Sequence, residues 1–338
     1  MVIGWDIGGV NTKVARVENG DVLAALGRPF ELQRAPGRLA ALLGEMASLI
    51  GAESPTVHAV TMTAELSQMF RTKRDGVAFV VDAIETAFPG DDIRVFTADN
   101  RFLLPAAARQ SPLAVAAANW SATAHEIAAT SPDALWIDIG TTTTDLIPIE
   151  GGRVVARGWT DPDRLASGEL VYSGVLRTPV EAIVSTVPYR DGHAAVSAEC
   201  FALVGDVHVW RGTLQPDDYS VPTPDGRPPT PEFCGERLAR IVCADRELID
   251  AHGISRIADA VADAQVRRIV SAIDRIRVRH ASLRTAVVSG LGAPIAEAAA
   301  SAAGLDVVHL ASAMGPAAAR CAPAAAVALL LERQSVHA

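Results

Sequence analysis

An internal repeat constrains the fold of this chain more than any other feature of its sequence. Residues 3–20 (IGWDIGGVNTKVARVENG) align without a gap with residues 135–152 (LWIDIGTTTTDLIPIEGG), so that Asp6 falls on Asp138. Each copy has an apolar strand that ends in aspartate, a turn that contains glycine, and a second strand, which is the pattern of a β-hairpin. The repeat therefore predicts two similar lobes, each of which begins with a hairpin.

Helix and strand patterns alternate along much of the remaining chain, as in proteins whose sheets are covered by helices. Segment 159–231 is different, because it is rich in turns and carries six prolines between 215 and 231. We interpret it as an insertion rather than as part of the repeated core. The predicted helices are 39–50, 77–88, 112–130, 256–280 and 316–331. The predicted strands are 58–62, 93–97, 285–289 and 307–310.

These patterns predict an α/β protein built from two lobes. Lobe one comprises residues 1–131 together with 317–338. Lobe two comprises residues 132–316 and contains the insertion. The last predicted helix is rich in alanine, and small side chains favour close packing of helices where the lobes join.

Composition argues against several classes of function. The 39 acidic and 30 basic side chains give a formal net charge of −9, which provides no general attraction to nucleic acid or to anionic membranes. The sequence begins MVIGWDIGG, without the basic leader of a signal peptide, and the apolar stretch 317–331 is too short to span a bilayer. We therefore expect a cytoplasmic protein without nucleic-acid or membrane partners.

The first hairpin, DIGGVNTK, contains the groups that a phosphate-binding loop requires. Its glycines allow backbone N–H groups to approach an anion closely, its threonine adds a hydroxyl, and Lys13 adds a positive charge. Asp6, at the end of the first strand, can hold a divalent cation through water. An ordinary hairpin with Asp6 as a turn residue is the alternative. The predicted phosphate-binding residues of this hairpin are Gly8, Gly9, Asn11 and Thr12.

The second hairpin, DIGTTTTD, repeats the Asp-x-Gly opening and adds four consecutive hydroxyl side chains. Threonine also favours strands, so the pairing of the hairpins is more informative than the run of threonines. Two such hairpins in a duplicated chain can face each other around a metal-bound diphosphate or triphosphate. The predicted catalytic residues are Asp6, Lys13, Asp138 and Asp145, with Mg²⁺ or another divalent cation held through water by Asp6 and Asp138. The predicted phosphate-binding residues of the second hairpin are Gly140, Thr141, Thr142 and Thr143.

A further glycine-containing turn follows the predicted strand 285–289. Its sequence, SGLGA, permits close approach of a flat ring or a phosphate, although a simple joint between a strand and a helix has the same pattern. This nucleotide-like or substrate-binding turn consists of Ser289, Gly290, Leu291 and Gly292.

The order of these parts resembles that of the acetate kinase, sugar kinase, Hsp70 and actin superfamily, and the resemblance covers nearly the whole chain outside 159–231. The openings IGWDIGG and WIDIGTTTTD resemble the hydantoinase A and oxoprolinase branch. Segments such as VTMTAEL at 60–66, AAANW at 116–120 and YSGVLRTPV at 172–180 are similar to small members linked to tetrahydromethanopterin-dependent C1 transfer. The resemblance implies a duplicated, two-lobed actin-like ATPase fold of the ribonuclease H-like type.

The same resemblance implies a role in methanofuran or methylofuran biosynthesis. Synthases of that family join an aminomethylfuran-methyl diphosphate to the phenol of γ-glutamyltyramine or of a tyrosine-derived acceptor, and they release diphosphate. The expected partners are thus a small diphosphate and a phenol, with Mg²⁺ or another divalent cation. ATP or ADP would fit such a fold but is not required by this reaction.

The sequence leaves the catalytic base and the acceptor pocket open. Asp145, Asp206 and His208 are the candidates for the base, although histidines such as His208 are more often structural. Glu65 and Asn119 would line the cleft on the side of lobe one, but contacts between helices explain them equally well. The predicted acceptor pocket consists of Tyr172, Arg177, Asp206 and His208.

Two other functions share the same sequence features. An ATP-dependent small-molecule kinase or an oxoprolinase-like hydrolase would use the same hairpins and the turn at 290–292. An actin-like or Hsp70-like nucleotide switch is the second alternative. The sequence leaves the oligomeric state open.

Overall fold

The computed structural model describes residues 1–52 and 56–336, and its chain divides into two compact units. Unit 1 comprises Met1–Trp136, Ile147–Ser167 and Val308–Ala338, and unit 2 comprises Ile137–Leu146 and Gly168–Val307. The first predicted hairpin lies in unit 1, whereas the second has its turn and adjoining strand ends (137–146) in unit 2 and its outer ends in unit 1. Residues 53–55 and 337–338, which the sequence assigns to lobe one, lie outside the described residues.

The strands and helices alternate for much of the chain, as the sequence predicts. The strands are β1 (Val2–Ile7), β2 (Asn11–Glu18), β3 (Asp21–Pro29), β4 (Val57–Met62), β5 (Asp92–Phe96), β6 (Phe102–Leu103), β7 (Ala134–Ile139), β8 (Thr144–Glu150), β9 (Arg153–Val154), β10 (Leu170–Val171), β11 (Thr186–Tyr189), β12 (Gly192–Ala195), β13 (Thr285–Ser289) and β14 (Asp306–His309). The helices are α1 (Leu39–Leu49), α2 (Lys73–Ala87), α3 (Pro105–Gln110), α4 (Pro112–Val115), α5 (Asn119–Thr130), α6 (Asp161–Ser167), α7 (Val204–Trp210), α8 (Pro231–Arg240), α9 (Ala251–Arg277), α10 (Ala293–Ala302), α11 (Leu310–Met314), α12 (Pro316–Arg320) and α13 (Ala322–Val336).

The two main sheets share one strand order. The first sheet runs β3-β2-β1-β4-β5-β6, and the second runs β10-β8-β7-β13-β14, with β9 paired to β8. When β9 is left out and the strands of each sheet are counted in chain order, the third, second, first, fourth and fifth are neighbours in both sheets. In the first sheet, β1 pairs with β2 in the antiparallel direction and with β4 in the parallel direction. This duplicated order confirms the predicted actin-like, ribonuclease H-like α/β fold.

In unit 1, helices pack against both faces of the first sheet. On one face Trp5 and Ile7 pack with side chains of α1 and α2 in an apolar core. On the other face α13 packs across β1, β2 and β4, and its alanines meet small residues of the sheet. Gly4 lies at this contact, where an added Cβ would stand 1.9 Å from the carbonyl oxygen of Ala324. The alanine-rich helix thus packs at backbone distance from the central strand.

Two predicted helices are interrupted in the structure, so these predictions were wrong in part. The predicted helix 112–130 consists of α4 and α5, separated by a kink at which Ala117 adopts a positive φ of 49°. The predicted helix 316–331 consists of α12 and α13, which meet at Cys321. Pro323 lies in the first turn of α13, where its missing N–H and fixed φ are tolerated.

The segment interpreted as an insertion, 159–231, contributes to the second sheet as well. Its residues Leu170–Val171 form β10, which pairs with β8 as the third strand of that sheet. The rest of the segment includes the hairpin of β11 and β12 and the short helix α7. In unit 2 these pack with α8 and α9 in a separate apolar core.

Along residues 1–52 and 56–336, none of the helices combines the length and the hydrophobicity needed to cross a membrane.

Candidate active site

The first hairpin places a lysine beside a buried aspartate in unit 1. Asp6 and Lys13 are direct partners in the register of β1 and β2, and Lys13 Nζ lies 3.2 Å from Asp6 Oδ2. The Asp6 side chain is 6% exposed, whereas Lys13 is 31% exposed. Asp6 Oδ1 is buried and has no hydrogen-bond partner among the described residues. Asp6 Oδ1 is therefore available to interact with a group outside the described chain.

The turn between these strands has the geometry of an anion-binding loop. The Gly8 N–H donates to the Asn11 carbonyl at 3.0 Å, and a Cβ on Gly8 would lie 2.6 Å from that oxygen. A residue larger than glycine would therefore disturb the turn. No described residue accepts a hydrogen bond from the N–H groups of Gly9 and Val10, and nothing lies within 4 Å of a Cβ placed on Gly9. These N–H groups can donate to an anion.

The register separates Thr12 from the other side chains of the first hairpin. Thr12 pairs with Ile7, so its side chain points to the opposite face of the sheet from Asp6 and Lys13. It is fully buried there, its hydroxyl has no partner among the described residues, and its predicted role in binding phosphate stays a prediction. Thr61 pairs with Asp6 in the neighbouring parallel strand β4 and therefore shares its face. The Thr61 hydroxyl is buried and has no partner among the described residues, so it is the better candidate.

The surroundings of Asp6 fit a divalent cation that is bound mainly by substrate and water. The described residues contain no group of three or more histidine, cysteine, aspartate or glutamate side chains placed to hold a metal ion. Magnesium commonly uses one or two carboxylates and takes its remaining ligands from phosphate and water. The unpartnered Oδ1 of Asp6 meets this requirement.

The second hairpin repeats the turn geometry in unit 2. The Gly140 N–H donates to the Thr143 carbonyl at 3.0 Å, as Gly8 does in the first hairpin. Gly174 packs directly on this turn, since a Cβ on it would lie 2.5 Å from the nitrogen of Thr142. The Thr141 carbonyl accepts hydrogen bonds from the backbone N–H groups of Leu176 and Arg177 at 3.1 and 2.9 Å. The segment after β10 therefore holds the turn in place.

The turn at 290–292 lies against the end of β7. Ser289 donates a hydrogen bond to Asp138, and the Gly292 N–H donates to the Ile139 carbonyl at 2.8 Å. Gly290 has a φ of 87°, and a Cβ on it would lie 2.4 Å from the Ile139 oxygen. The two glycines are thus explained by close backbone packing beside Asp138. Their role in binding a nucleotide or a substrate stays a prediction.

Asp206 has charged and polar partners inside unit 2. Its Oδ1 lies 2.7 Å from Arg237 Nη2, and its Oδ2 accepts a hydrogen bond from the Leu203 N–H at 2.9 Å. Both Asp206 and Arg237 are fully buried. Burial acts to lower the pKa of Arg237, but hydrogen bonding and charge from Asp206 raise it overall. Breaking such a pair would leave a buried charge, so its contacts account for Asp206 as a structural residue.

His208 belongs to a hydrogen-bond network beneath the second hairpin. Its Nε2 donates to Gln265 Oε1 at 3.0 Å, and its Nδ1 lies 2.9 Å from Thr213 Oγ1. Gln265 Nε2 in turn donates to Ser173 Oγ and to the Gly174 carbonyl, both at 3.0 Å. Burial lowers the pKa of His208 to about 4, so the imidazole is neutral at pH 7. The network supports the segment that packs on Thr142.

The other residues predicted for the acceptor pocket and the base lie elsewhere in unit 2. Tyr172 is 66% exposed and Arg177 is also exposed. Asp145 lies in β8, where it pairs with Leu170 of β10. Their predicted roles in binding and proton transfer stay predictions.

Unit 1 contains a second group of polar side chains, which we call the Glu65 cluster. Its members are Glu65, Trp120 and Arg164, which are buried, and Lys73 and Asp161, which are partly exposed. Glu65 is 2% exposed, and neither of its carboxylate oxygens has a hydrogen-bond partner among the described residues. Asp161 lies 3.5 Å from Lys73 Nζ and 3.7 Å from Arg164 Nη1. The Arg164 guanidinium lies 4.5 Å from the centroid of the Trp120 ring, a cation–π distance. The Trp120 indole N–H is likewise buried without a partner in the described chain.

Burial raises the pKa of Glu65 from its ordinary value of 4.5 to about 8. The backbone amides of Glu65 and Ala117 and the charge of Lys73 act in the opposite direction, while Asp161 adds to the increase. Neither amide makes a well-formed hydrogen bond to the carboxyl group. The sequence contained one signal for this residue, a glutamate that directly follows a buried strand and a short turn.

This pKa predicts a measurable dependence of stability on pH. The folded state binds the proton of Glu65 more tightly than the unfolded state, so Glu65 stabilises the protein below pH 4.5 and that stability is lost as pH rises to about 8. We expect Glu65→Gln to remove this loss, which is at most about 1.4 kcal/mol per pH unit. Denaturant unfolding at pH 5.5 and 8 measures this loss of unfolding free energy. Glu45→Gln, at a half-exposed position, is the control. A difference between variant and wild type that is the same at both pH values would contradict the assignment.

Comparison with known proteins identifies similar chains. The family model described as hydantoinase/oxoprolinase matches residues 56–334. The "(4-{4-[2-(gamma-L-glutamylamino)ethyl]phenoxymethyl}furan-2-yl)methanamine synthase" of Methanocaldococcus jannaschii is 33% identical over 335 residues, which cover 99% of this chain and 98% of that protein. The protein of the same name from Methanococcus vannielii is 33% identical over 165 residues, 49% of this chain and 73% of that protein.

Solved structures resemble the chain more distantly. The activator of 2-hydroxyisocaproyl-CoA dehydratase from Clostridium difficile, with bound ADPNP, aligns with a TM-score of 0.49 and 13% identity over 99% of this chain and 96% of that one. The ROK hexokinase of Thermus thermophilus aligns with a TM-score of 0.44 and 14% identity over 99% of both chains.

Proposed function

Because this chain belongs to the hydantoinase/oxoprolinase family, and matches a furan-methanamine synthase along its length, we propose that it is such a synthase. The proposed reaction joins an aminomethylfuran-methyl diphosphate to the phenol of a γ-glutamyltyramine- or tyrosine-type acceptor and releases diphosphate. The product is an aryl ether of methanofuran or methylofuran biosynthesis.

The observation that carries the proposal is the length of the match to the Methanocaldococcus jannaschii synthase. Identity of 33% over 99% of one chain and 98% of the other includes both hairpins, the segment 159–231 and the last helices. A match limited to the hairpins would support a phosphate-binding fold and leave the substrate open, since one fold serves many chemistries. A match along both chains supports a common reaction.

The first hairpin supplies groups that suit a departing diphosphate. As the bond between carbon and the diphosphate oxygen breaks, negative charge grows on that oxygen while the furan ring shares the positive charge of the carbon. Donors fixed before the reaction stabilise such charge most effectively. In unit 1 we assign this role to Lys13 and to the N–H groups of Gly9 and Val10. Their positions are fixed by the ion pair with Asp6 and by the Gly8 turn.

Corresponding groups of unit 2 have the same assignment. Asp138 is the counterpart of Asp6 in the repeat, and the turn at Thr141 and Thr142 is the counterpart of the Gly9 turn. In unit 1 we propose Asp6 as a residue that holds a divalent cation, and in unit 2 Asp138 has the corresponding role. When bound, the cation neutralises charge on the diphosphate. No phosphoryl group is transferred in this reaction, so ATP is not required.

The proposal predicts a stoichiometric reaction in the purified protein. The assay contains an aminomethylfuran-methyl diphosphate as donor, Mg²⁺, and either tyramine or γ-glutamyltyramine as acceptor. The protein is expected to form one aryl ether for each diphosphate released. Mass spectrometry measures the ether and a pyrophosphatase-coupled assay measures the diphosphate. Excess EDTA should abolish the reaction, and added ATP should leave its rate unchanged.

Four results would contradict this proposal. Ether formation that requires ATP hydrolysis, or phosphorylation of a small molecule without ether, would favour an ATP-dependent enzyme. Full turnover in excess EDTA would show that the reaction does not require a divalent cation. A reaction without protein at the same rate would show that the substrates react spontaneously.

A further inference from the structure

We propose that Glu65 is the general base that accepts the proton of the phenolic hydroxyl. This inference rests on the proposed function, which supplies the phenol and the diphosphate. It assigns the proton-accepting step to a residue of unit 1 rather than to Asp145, Asp206 or His208.

The first support is that no described residue makes a well-formed hydrogen bond to the buried Glu65 carboxyl group. Both oxygens are buried, and neither forms a hydrogen bond with a described residue. A buried carboxyl group without partners costs free energy, and structural carboxylates in proteins usually have their hydrogen bonds satisfied. Asp206 illustrates the structural case, because its two oxygens bond to Arg237 and Leu203. A substrate hydroxyl would supply the partner that Glu65 lacks.

The second support is the position of Glu65 relative to the first hairpin. Thr63 donates its N–H to the Ile7 carbonyl at 3.0 Å, and its side-chain hydroxyl would lie 3.4 Å from a Cβ on Gly8. Two residues of chain span at most about 7 Å, so Glu65 lies close to the turn that we assign to the diphosphate. The reacting carbon is bonded directly to that diphosphate, whereas the amine of the substrate lies across the furan ring. Because Glu65 lies near the reacting carbon, a role as the base is favoured over a role in binding the amine of the substrate.

The third support is the strained backbone that surrounds Glu65. The kink between α4 and α5 places Ala116 in a parallel bridge with Met62, at the end of β4, and gives Ala117 its positive φ. On the other side Gly76 lets α2 approach so closely that a Cβ on it would lie 2.5 Å from Glu65 Cα. Strained backbone conformations, such as the positive φ of Ala117, are common where a protein holds a functional group in place. The close approach of Gly76 to Glu65 adds to the constraint at this position.

The charges that face Glu65 come from two helices. Lys73, at the start of α2, favours the carboxylate, and Asp161, at the start of α6, favours the neutral acid. Arg164 lies beside Asp161 and partly offsets its charge. Burial has the largest effect, and the resulting pKa of about 8 lies closer to that of a phenol, about 10, than an ordinary carboxylate would. Such matching favours proton transfer in the transition state.

The step balances without any further reactant. The ionised Glu65 carboxylate takes the phenolic proton, and the phenol oxygen forms a bond to the furan-methyl carbon. The bond from that carbon to the diphosphate oxygen breaks, and diphosphate leaves with the electron pair. Glu65 then returns its proton to water, so that one proton is released for each ether formed.

The test compares Glu65→Gln with wild type on two phenols. With tyramine as acceptor, the variant is expected to lose about 10²–10⁴-fold in kcat. With a tyramine analogue that carries fluorine beside the hydroxyl, and is ionised at the assay pH, the loss should be much smaller because no base is needed. The KM for the diphosphate should change little. The wild-type rate with tyramine should rise with pH, reach half its maximum near pH 8 and level off above it, and this pH dependence should be absent in the variant.

Two controls separate this role from others. Glu45→Gln makes the same chemical change at a half-exposed position of unit 1 and should leave both rates unchanged. A furan-methyl diphosphate that lacks the aminomethyl group should show the same Glu65→Gln loss as the full substrate. A loss confined to the amine-bearing substrate would mean that Glu65 binds the amine, and it would overturn the base.

The remaining outcomes are distinct. If wild type forms no ether, the proposed function fails and the assignment of the base fails with it. If wild type forms ether and Glu65→Gln retains its rate, or loses equally with both phenols, only the base is overturned. Should Glu65→Gln fail to fold, Glu65→Asp retains a carboxyl group. Its rate deficit should then shrink with the fluorinated phenol, and an equal deficit with both phenols would overturn the base.

Discussion

Asp6→Asn is expected to lower turnover by about 10²–10³-fold while the protein stays folded. The substitution keeps the shape of the side chain but removes the negative charge that holds Lys13 at 3.2 Å. It also removes the charge from the unpartnered Oδ1, the oxygen proposed for the divalent cation. Because Lys13 is 31% exposed, loss of the ion pair should cost only about 1 kcal/mol or less of stability. Steady-state kinetics and thermal unfolding measure the two effects.

Asp92→Asn is the matched control for this variant. Asp92 begins β5 of the same sheet, its side chain is 44% exposed, and its partner is Arg94. We expect its turnover to equal that of wild type. Asp138→Asn tests the second hairpin independently. If Asp6→Asn turned over at nearly the wild-type rate, the phosphate-binding role of the first hairpin would be wrong.

The largest loss of stability is expected from Gly4→Ala. The added methyl group would stand 1.9 Å from the Ala324 carbonyl oxygen and 2.9 Å from the Ala328 Cβ, so α13 must move away from β1. Overpacking of this kind costs about 3 kcal/mol, which is a large part of the stability of an ordinary domain. Denaturant unfolding measures the change. Loss of soluble protein on expression would agree with the expectation.

Gly44→Ala is the corresponding control. Gly44 lies within α1, and nothing stands within 4 Å of a Cβ placed on it. Alanine is the better helix former, so this variant should gain about 0.5–1 kcal/mol. Equal stabilities for Gly4→Ala and Gly44→Ala would show that α13 does not pack on β1 at backbone distance.

The hairpins were predictable because the sequence contains each of them in full. Asp6, the glycines and Lys13 lie within eight consecutive residues, and the second copy confirmed the pattern at Asp138. Strand alternation would also have separated Thr12 from Lys13, since neighbouring residues of a strand face opposite sides. The prediction for Thr12 considered which residue types the loop contains and not which face of the strand each side chain occupies.

Other features depend on contacts that the sequence does not display. The helical pattern from 112 to 130 has no proline or glycine between α4 and α5, and its break follows from the bridge between Ala116 and Met62. The strand β10 has only two residues, too few for an alternating pattern. The segment VTMTAEL contains Glu65, but the sequence does not show that its carboxyl group is buried without a hydrogen-bond partner, because that is a property of packing. The kink and Glu65 lie together, as expected if local rules fail at a functional site.

The packing of α13 on β1 also affects when unit 1 can finish folding during translation. Gly4 precedes Ala324 by about 320 residues, so at about 5–20 residues per second they emerge from the ribosome tens of seconds apart. During that time one face of the central strand of unit 1 is without its helix. The segment Gly168–Val307 of unit 2 is meanwhile already synthesised. Unit 1 is therefore started before unit 2 and completed after it.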